Sequence, residues 1–411
     1  MREIAIVGGG PAGALCGERL AGAGFRVTIF DERLAWEKPC GGGLTHKAIE
    51  AFPFLLDSNA PKTLARRAEL IACDGSRATL ELEKPVVLYS RKVLNGILLE
   101  RARAAGCRIV CARVTRADAG PSRVTLFTKD EKYSADFLVV AAGARNSLLP
   151  GTAPLDAQDL EMTVGYFIPA NGSADGRDAT LKIQFLEDFT GYLWSFPRPG
   201  HFSVGICAPL LSRSTTHLRR RVDHFVHREQ IAEVPLPAAP RSDNGVPAGF
   251  FSHVLPAPRA VTLRNRRVAG GKWALIGDAA AWVDPLTGEG LYYAMRSGDL
   301  LAQALIAERP EDYEPCARHE FLAELAAAGR MARRFFHGFF LGEWFHVRLV
   351  QLLSRSATLR QIAGDLFSGA QNYVSLKPRL RRRAARVFLE VLFSFAGLGP
   401  SENRNGRSGP Q

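Results

Sequence analysis

The stretch REIAIVGGGPAGALCGERLAGAGFRVTIFD, residues 2–31, decides the fold. Residues 2–7 are a short apolar run that suits a buried parallel strand, and it ends in Gly8, Gly9, Gly10, Pro11, Ala12 and Gly13, the spacing G-x-G-x-x-G. A helical segment over 11–24 and a second strand over 25–30, ending at Asp31, complete a βαβ start. Each residue type answers a physical need. Gly8 permits the tight turn, Gly10 lets the main chain approach a pyrophosphate, and Gly13 lets helix pack closely on strand. Pro11 and Ala12 open a helix whose free N–H groups and partial positive charge favour phosphate. Asp31, with Glu32 beside it, stands where the ribose hydroxyls of an adenosine are bound. A dinucleotide site follows, without a choice between a flavin and a nicotinamide.

The chain has 411 residues, 46% of them hydrophobic, enough for two or three packed units. Seven scattered cysteines without C-x-x-C spacing favour reduced thiols and a cytoplasmic setting over a disulfide framework. The chain opens in a strand rather than a signal peptide, and no uncharged apolar run reaches membrane-spanning length. Its net charge of +12 is concentrated at the end: residues 331–411 hold 13 Lys and Arg against four Asp and Glu. There Lys377, Arg379, Arg381, Arg382, Arg383 and Arg386 precede the apolar run 387–399, interrupted by Glu390. Two readings stand: a solvated helix with a packed apolar face, or peripheral contact with an anionic membrane at its inner face. Nucleic acid is excluded, because no interleaved aromatic sheet motif or finger spacing accompanies the charge.

After Asp31 comes the most distinctive string, KPCGGGL at 38–44. Three glycines behind a rigid proline let main chain pass close to a flat ligand, with Cys40 carried to its edge; an ordinary loop with a buried thiol is the alternative. This string, nine residues beyond Asp31, resembles the geranylgeranyl reductase family of flavoproteins within the para-hydroxybenzoate hydroxylase-like superfamily. The resemblance implies that Cys40 and Gly41 are catalytic candidates and that Cys40, Gly41 and Gly42 also contact the cofactor. It implies a cofactor role for Arg91, at the start of the helix RKVLNGILLERARAAG, where a surface arginine is the other option. It also matches Val114, at the end of a strand over 107–114, to a backbone contact with adenine. At 137–147, FLVVAAGARNS returns to the cofactor through Gly143, but Ala142 stands where the hydroxylases carry Asp. That departure counts against a hydroxylase-style direct encounter with NAD(P)H.

Two later motifs extend the likeness. GYLWSFP at 191–197 resembles the family's Y-x-W-x-F-P pattern, and strand alternation puts Tyr192, Trp194 and Phe196 on one face as the substrate-binding wall. GDAAAWVDPLTGEGL at 277–291 resembles the segment that identifies the dinucleotide as FAD. By that match Asp278 binds ribitol, while Pro285, Gly288, Gly290 and Leu291 form the turn against the isoalloxazine. Phe335, Phe336, Phe339, Phe340, Trp344 and Phe345 crowd one helical stretch, as a cap on a hydrocarbon channel or as core. His224 and His227 read as a surface helix rather than metal ligands.

The expected fold is α/β: a discontinuous Rossmann-like FAD-binding domain (1–63, 89–154, 264–317), an inserted, mainly β substrate domain (64–88, 155–263), a C-terminal helical region (318–398) and a flexible tail (399–411). The implied activity is FAD-dependent saturation of carbon–carbon double bonds in a hydrophobic isoprenoid, with NAD(P)H or reduced ferredoxin as donor. An ordinary thiol pKa of about 8.5 leaves Cys40 mostly protonated near neutrality, as a proton donor or relay. The alternatives are a flavin monooxygenase or halogenase, and a flavoprotein passing electrons to membrane quinone.

Overall fold

A computed structural model describes residues 3–120, 122–144, 148–149, 154–170, 179–187, 190–231 and 249–395. The strand Glu3–Val7 lies at the centre of a six-stranded sheet, paired in parallel with Arg26–Phe30 on one side and Phe137–Val140 on the other. Arg108–Val110 and Trp273–Leu275 extend the sheet in parallel, and Ala269–Gly270 closes one edge antiparallel. A parallel sheet must be covered on both faces, which is why Ile4, Ala5, Ile6 and Val7 form an unbroken apolar run. Ile29 turns toward the helix Pro11–Gly22, where a Cβ on Gly17 would come within 2.8 Å of it. Phe30 turns the other way, onto Tyr133 of a three-stranded antiparallel sheet, with ring centroids 4.7 Å apart.

The second sheet has eight strands in the order Phe250–Pro256, Leu160–Pro169, His201–Pro209, Tyr192–Arg198, Thr180–Phe185, Thr63–Ile71, Arg77–Leu88 and Gly43–Leu44. Its short last strand is the end of the KPCGGGL string, so the loop that leaves the nucleotide fold is hydrogen-bonded into the other sheet. One face of this sheet packs Val164, Tyr166, Leu193, Val204 and Ile206 against Leu218, Val222 and Phe225 of the helix Thr215–Arg228. His224 and His227 lie on that helix's exposed side, and no cluster able to hold a metal occurs among the described residues. The opposite face looks into the interior and is roofed by C-terminal helices through Phe335, Phe336, Val347, Val350 and Leu353.

Three sequence expectations need correction here. The strand read over 107–114 stops at Val110, and Val114 follows it as a buried side chain in a largely exposed loop. The late aromatics do not share one helix: Tyr313–His337 ends before a hairpin, Phe339–Phe340 with Glu343–Trp344, and Phe345–Arg355 starts after it. Leu341 and Gly342 both have positive φ (50° and 79°), the backbone of a two-residue hairpin turn. Finally, the apolar side of the helix Tyr373–Phe395 is not packed: Phe388 and Phe395 are 66% and 70% exposed, and Leu389, Leu392 and Phe393 are exposed too. Inward it sends Glu390, which accepts from Ser356 Oγ at 2.6 Å and Thr358 Oγ1 at 2.7 Å. The apolar run beyond Phe395 and the tail 399–411 lie outside the described residues. All seven cysteines are free, and no described helix is long and apolar enough to cross a membrane.

Candidate active site

Where the first sheet meets the second, a cavity of about 1120 Å³ is lined by both the glycine fingerprint and the aromatic strand. Gly8, Gly10, Pro11 and Ala12 line it with Asp31, Glu32 and Gly143. Gly13 is behind the surface, where a Cβ would lie 2.0 Å from the Gly8 carbonyl oxygen; only glycine lets the helix start that close. Around Gly10 a Cβ would meet nothing, so the helix N-terminus faces open space with no side-chain cap and no acid in its first turn. Asp31 also braces the turn: its carboxylate accepts from the N–H groups of Gly9 (2.7 Å), Arg33 (2.8 Å) and Leu34 (2.9 Å).

Arg91 is 4% exposed at the N-terminus of Arg91–Ala104 and lines the cavity. It is therefore not a surface arginine. Its Nη2 donates to Asn95 at 3.3 Å, while its buried Nε has no partner among the described residues. A buried donor left unpaired is costly, so Nε points to an acceptor supplied by a ligand. With the uncapped helix start, it makes the residues present a fit for the phosphates and flavin of FAD.

Cys40, Gly41 and Gly42 form part of the cavity wall. Gly42 has φ +77° and a Cβ there would sit 2.3 Å from the Tyr89 carbonyl; a Cβ on Gly41 would strike the Phe196 ring at 2.6 Å. The loop is held from below by Arg198, a residue with no exposed surface. Its Nε donates to the Gly41 carbonyl at 3.1 Å, Nη2 donates to the Cys40 carbonyl, and Nη1 pairs with Glu37 at 2.6 Å. Ser203 Oγ donates to the same Cys40 carbonyl at 2.8 Å, and Glu37 also accepts the Arg91 N–H at 2.8 Å. Burial by itself would raise the Cys40 thiol, but the Arg91 and Arg198 guanidiniums and the Gly42 N–H outweigh it and hold the thiol below its ordinary range. The guanidiniums on two sides thus lower this thiol relative to an ordinary one.

Tyr192, Trp194 and Phe196 share the cavity face of one strand, as alternation requires, with Phe185, Phe335 and Phe336 around them. Opposite lies the turn of 284–291. Asp284 is buried and ties it down, accepting from the N–H groups of Leu286 (2.8 Å) and Thr287 (3.2 Å) and from the Tyr373 hydroxyl (2.7 Å). The Tyr192 hydroxyl donates to the Thr287 carbonyl at 2.5 Å, fastening wall to turn. Asp278, Gly288, Gly290 and Leu291 line the main cavity; Pro285 lines a side lobe, and neither Gly13 nor Val114 is among the lining residues. Glu37, Arg198, Ser203 and Tyr373 were missed in the sequence. Arg198 alone left a signal, since it continues the 192, 194, 196 alternation.

Residues 2–168 match the pyridine nucleotide-disulphide oxidoreductase family. Over 328 residues the chain is 26% identical to a geranylgeranyl diphosphate reductase of Synechocystis, covering 74% of this chain and 75% of that one. It is 28% identical over 384 residues to a menaquinone reductase of Mycolicibacterium smegmatis, covering 88% and 90% of the two chains. A solved geranylgeranyl bacteriochlorophyll reductase-like protein from Thermoplasma acidophilum shares the fold with a TM-score of 0.72 at 18% identity, covering 93% and 98%. The unpaired Arg91 donor, the uncapped helix start and these relatives agree: the chain is an FAD-dependent oxidoreductase related to the geranylgeranyl reductases.

Proposed function

We propose that the enzyme saturates carbon–carbon double bonds of a prenyl chain. The observation that carries this is that one cavity is lined by the glycine cradle, by Cys40–Gly42 and by the aromatic, apolar set of Phe185, Tyr192, Trp194, Phe196, Phe335 and Phe336. Bound and reduced, FAD supplies a hydride to such a substrate. For holding the cofactor we assign Gly8, Gly10, Pro11, Ala12 and Arg91 to its phosphates, with Gly13 closing the helix onto the strand. Asp31 and Glu32 take the adenosine ribose, with Val114 at adenine, and Asp278 takes ribitol beside Gly143. Pro285, Gly288, Gly290 and Leu291 present the turn whose N–H groups, at the head of Leu291–Ile306, favour negative charge. Residues 1–63, 89–154 and 264–317 then act as the cofactor unit, and 64–88 with 155–263 as the substrate unit.

An isolated alkene is unactivated, so hydride addition must be matched by a proton, and positive charge develops at the more substituted carbon. The faces of Tyr192, Trp194 and Phe196 stabilise that charge, and the roof of Phe335 and Phe336 keeps water out. Cys40 and Gly41 shape the chamber floor, and the Arg198–Glu37 pair fixes that floor. A greasy substrate also needs a route from lipid, and the exposed Phe388, Leu392, Phe393 and Phe395, beside Arg381–Arg383, suit docking on an anionic membrane surface. The test is anaerobic: dithionite-reduced enzyme is mixed with a panel of prenyl alcohols, diphosphates and quinones, and products are weighed by mass spectrometry. One added dihydrogen per double bond is expected. Quinone reduction with every side-chain double bond intact would replace this function with electron transfer to quinone.

A further inference from the structure

The chamber face of the eight-stranded sheet carries a polar spot not used so far. Cross-strand pairing sets His253, Thr163, Cys207 and Tyr192 side by side on four neighbouring strands, and all four line the chamber. Cys207 is 4% exposed, among Trp194, Phe251 and Leu255, and its Sγ donates to Glu161 Oε2 at 2.8 Å. Glu161 lies two residues before Thr163 on one strand, hence on the same face. It borders the side lobe formed with Tyr192, Asp284, Leu286 and Gly288, next to the turn assigned to the flavin. No lysine or arginine pairs with Glu161 among the described residues, and the hydroxyl of Thr163 has no partner among them. A thiol, a carboxyl and a free hydroxyl thus meet in a greasy chamber that has no structural need for them.

We propose that Cys207 gives the proton to the alkene carbon and that Glu161 restores it. The role rests on the prenyl-reductase function above. One C–H bond forms with the hydride from the reduced cofactor, and the other forms as the Cys207 S–H bond breaks. The thiolate takes the proton of the Glu161 carboxyl across the 2.8 Å contact, and the carboxylate recovers a proton from solvent once product leaves. Alkene, hydride and proton enter, and the saturated chain leaves.

Electrostatics divides the two chamber thiols. Burial raises the Glu161 carboxyl, only partly offset by its hydrogen bond to Cys207, and burial then Glu161 push Cys207 well above an ordinary thiol. The shifts run in opposite directions: Cys207 and Glu161 are both raised, whereas Cys40 between its guanidiniums is lowered. Tyr192, His253, Asp284 and Cys40 are the other titratable groups facing this spot, and Tyr192 is itself pushed well above its ordinary value, chiefly by burial.

Infrared titration of the flavin-free protein is expected to show a carboxyl band that stays protonated at neutral pH and is lost in Glu161→Gln. In single turnovers of pre-reduced enzyme with the prenyl substrate, Cys207→Ala and Glu161→Gln are expected to slow alkene reduction about 10²-fold. Cys207→Ser should restore part of the rate, with a shifted pH profile and a changed solvent deuterium isotope effect. Wild-type rates and pH profile in both variants, or a Glu161 band that ionises in the ordinary carboxylate range, would overturn the assignment. Wild-type enzyme with the protonated band but no action on any alkene would instead overturn the prenyl-reductase function, and the donor role with it.

Discussion

At the scale of single residues, the site depends on charges placed where a thiol and a backbone loop need them. Cys40 owes its lowered pKa to cations that lie far away in sequence, Arg91 and Arg198. Iodoacetamide should therefore label Cys40 of the flavin-free enzyme faster near neutrality than an ordinary half-buried thiol. Arg91→Gln removes one cation, raises the thiol pKa and is expected to slow labelling about tenfold for each unit of rise. An unchanged pH profile in that variant would show that Arg91 does not act on Cys40. A second residue-scale prediction concerns Gly13: a Cβ 2.0 Å from the Gly8 oxygen cannot be accommodated without moving helix from strand. Gly13→Ala should cost about 1–3 kcal/mol and release FAD, measured as a lower Tm and loss of flavin absorbance after gel filtration.

Among the secondary-structure elements, the helix Thr215–Arg228 is pinned to the outer sheet at its C-terminal end by Glu229. That carboxylate accepts from Arg77 at 2.7 Å and Lys182 at 3.2 Å. Burial opposes its charge, but the Arg77 and Lys182 hydrogen bonds and charges prevail and bring its pKa from 4.5 to about 2. The folded value is the depressed one, so this stabilisation is present above about pH 4.5 and fades as pH falls toward 2. Glu229→Gln should flatten the loss of stability across that window, by at most about 3 kcal/mol, read as a smaller drop in Tm; an identical acid limb would remove the role. The helix Tyr373–Phe395 makes the opposite use of its faces, sending a carboxylate inward and phenylalanines outward. Sedimentation with anionic vesicles should carry down the wild-type enzyme. Phe388→Ser with Phe393→Ser, or added salt, should weaken it, and equal binding to neutral vesicles in high salt would rule out the electrostatic part.

For the molecule as a whole, two sheets share one cavity because the chain crosses between them repeatedly: the 43–44 strand leaves the nucleotide fold, and the 269–275 strands return to it. FAD bridging both sides should stabilise the entire assembly. Removing it is expected to lower Tm, since free ligand at about 100 Kd contributes roughly 2.7 kcal/mol. Equal Tm values with and without flavin would mean that the cradle does not couple to the rest.

Local spacing was enough to determine the cradle, because a tight turn, a close helix start and an acid at a strand end are each made by neighbouring residues. Gly8, Gly10, Gly13 and Asp31 were legible for that reason, as was the aromatic face of 192–196, set by strand alternation. Only tertiary structure could put Glu37, Arg198 and Ser203 under the KPCGGGL loop, or Glu161 against Cys207, since those contacts join residues 46 to 163 positions apart. It also decided the lowered pKa of Cys40 and the outward turn of the late phenylalanines. Burial and the field of distant cations are properties of packing, and periodicity along one chain does not encode them.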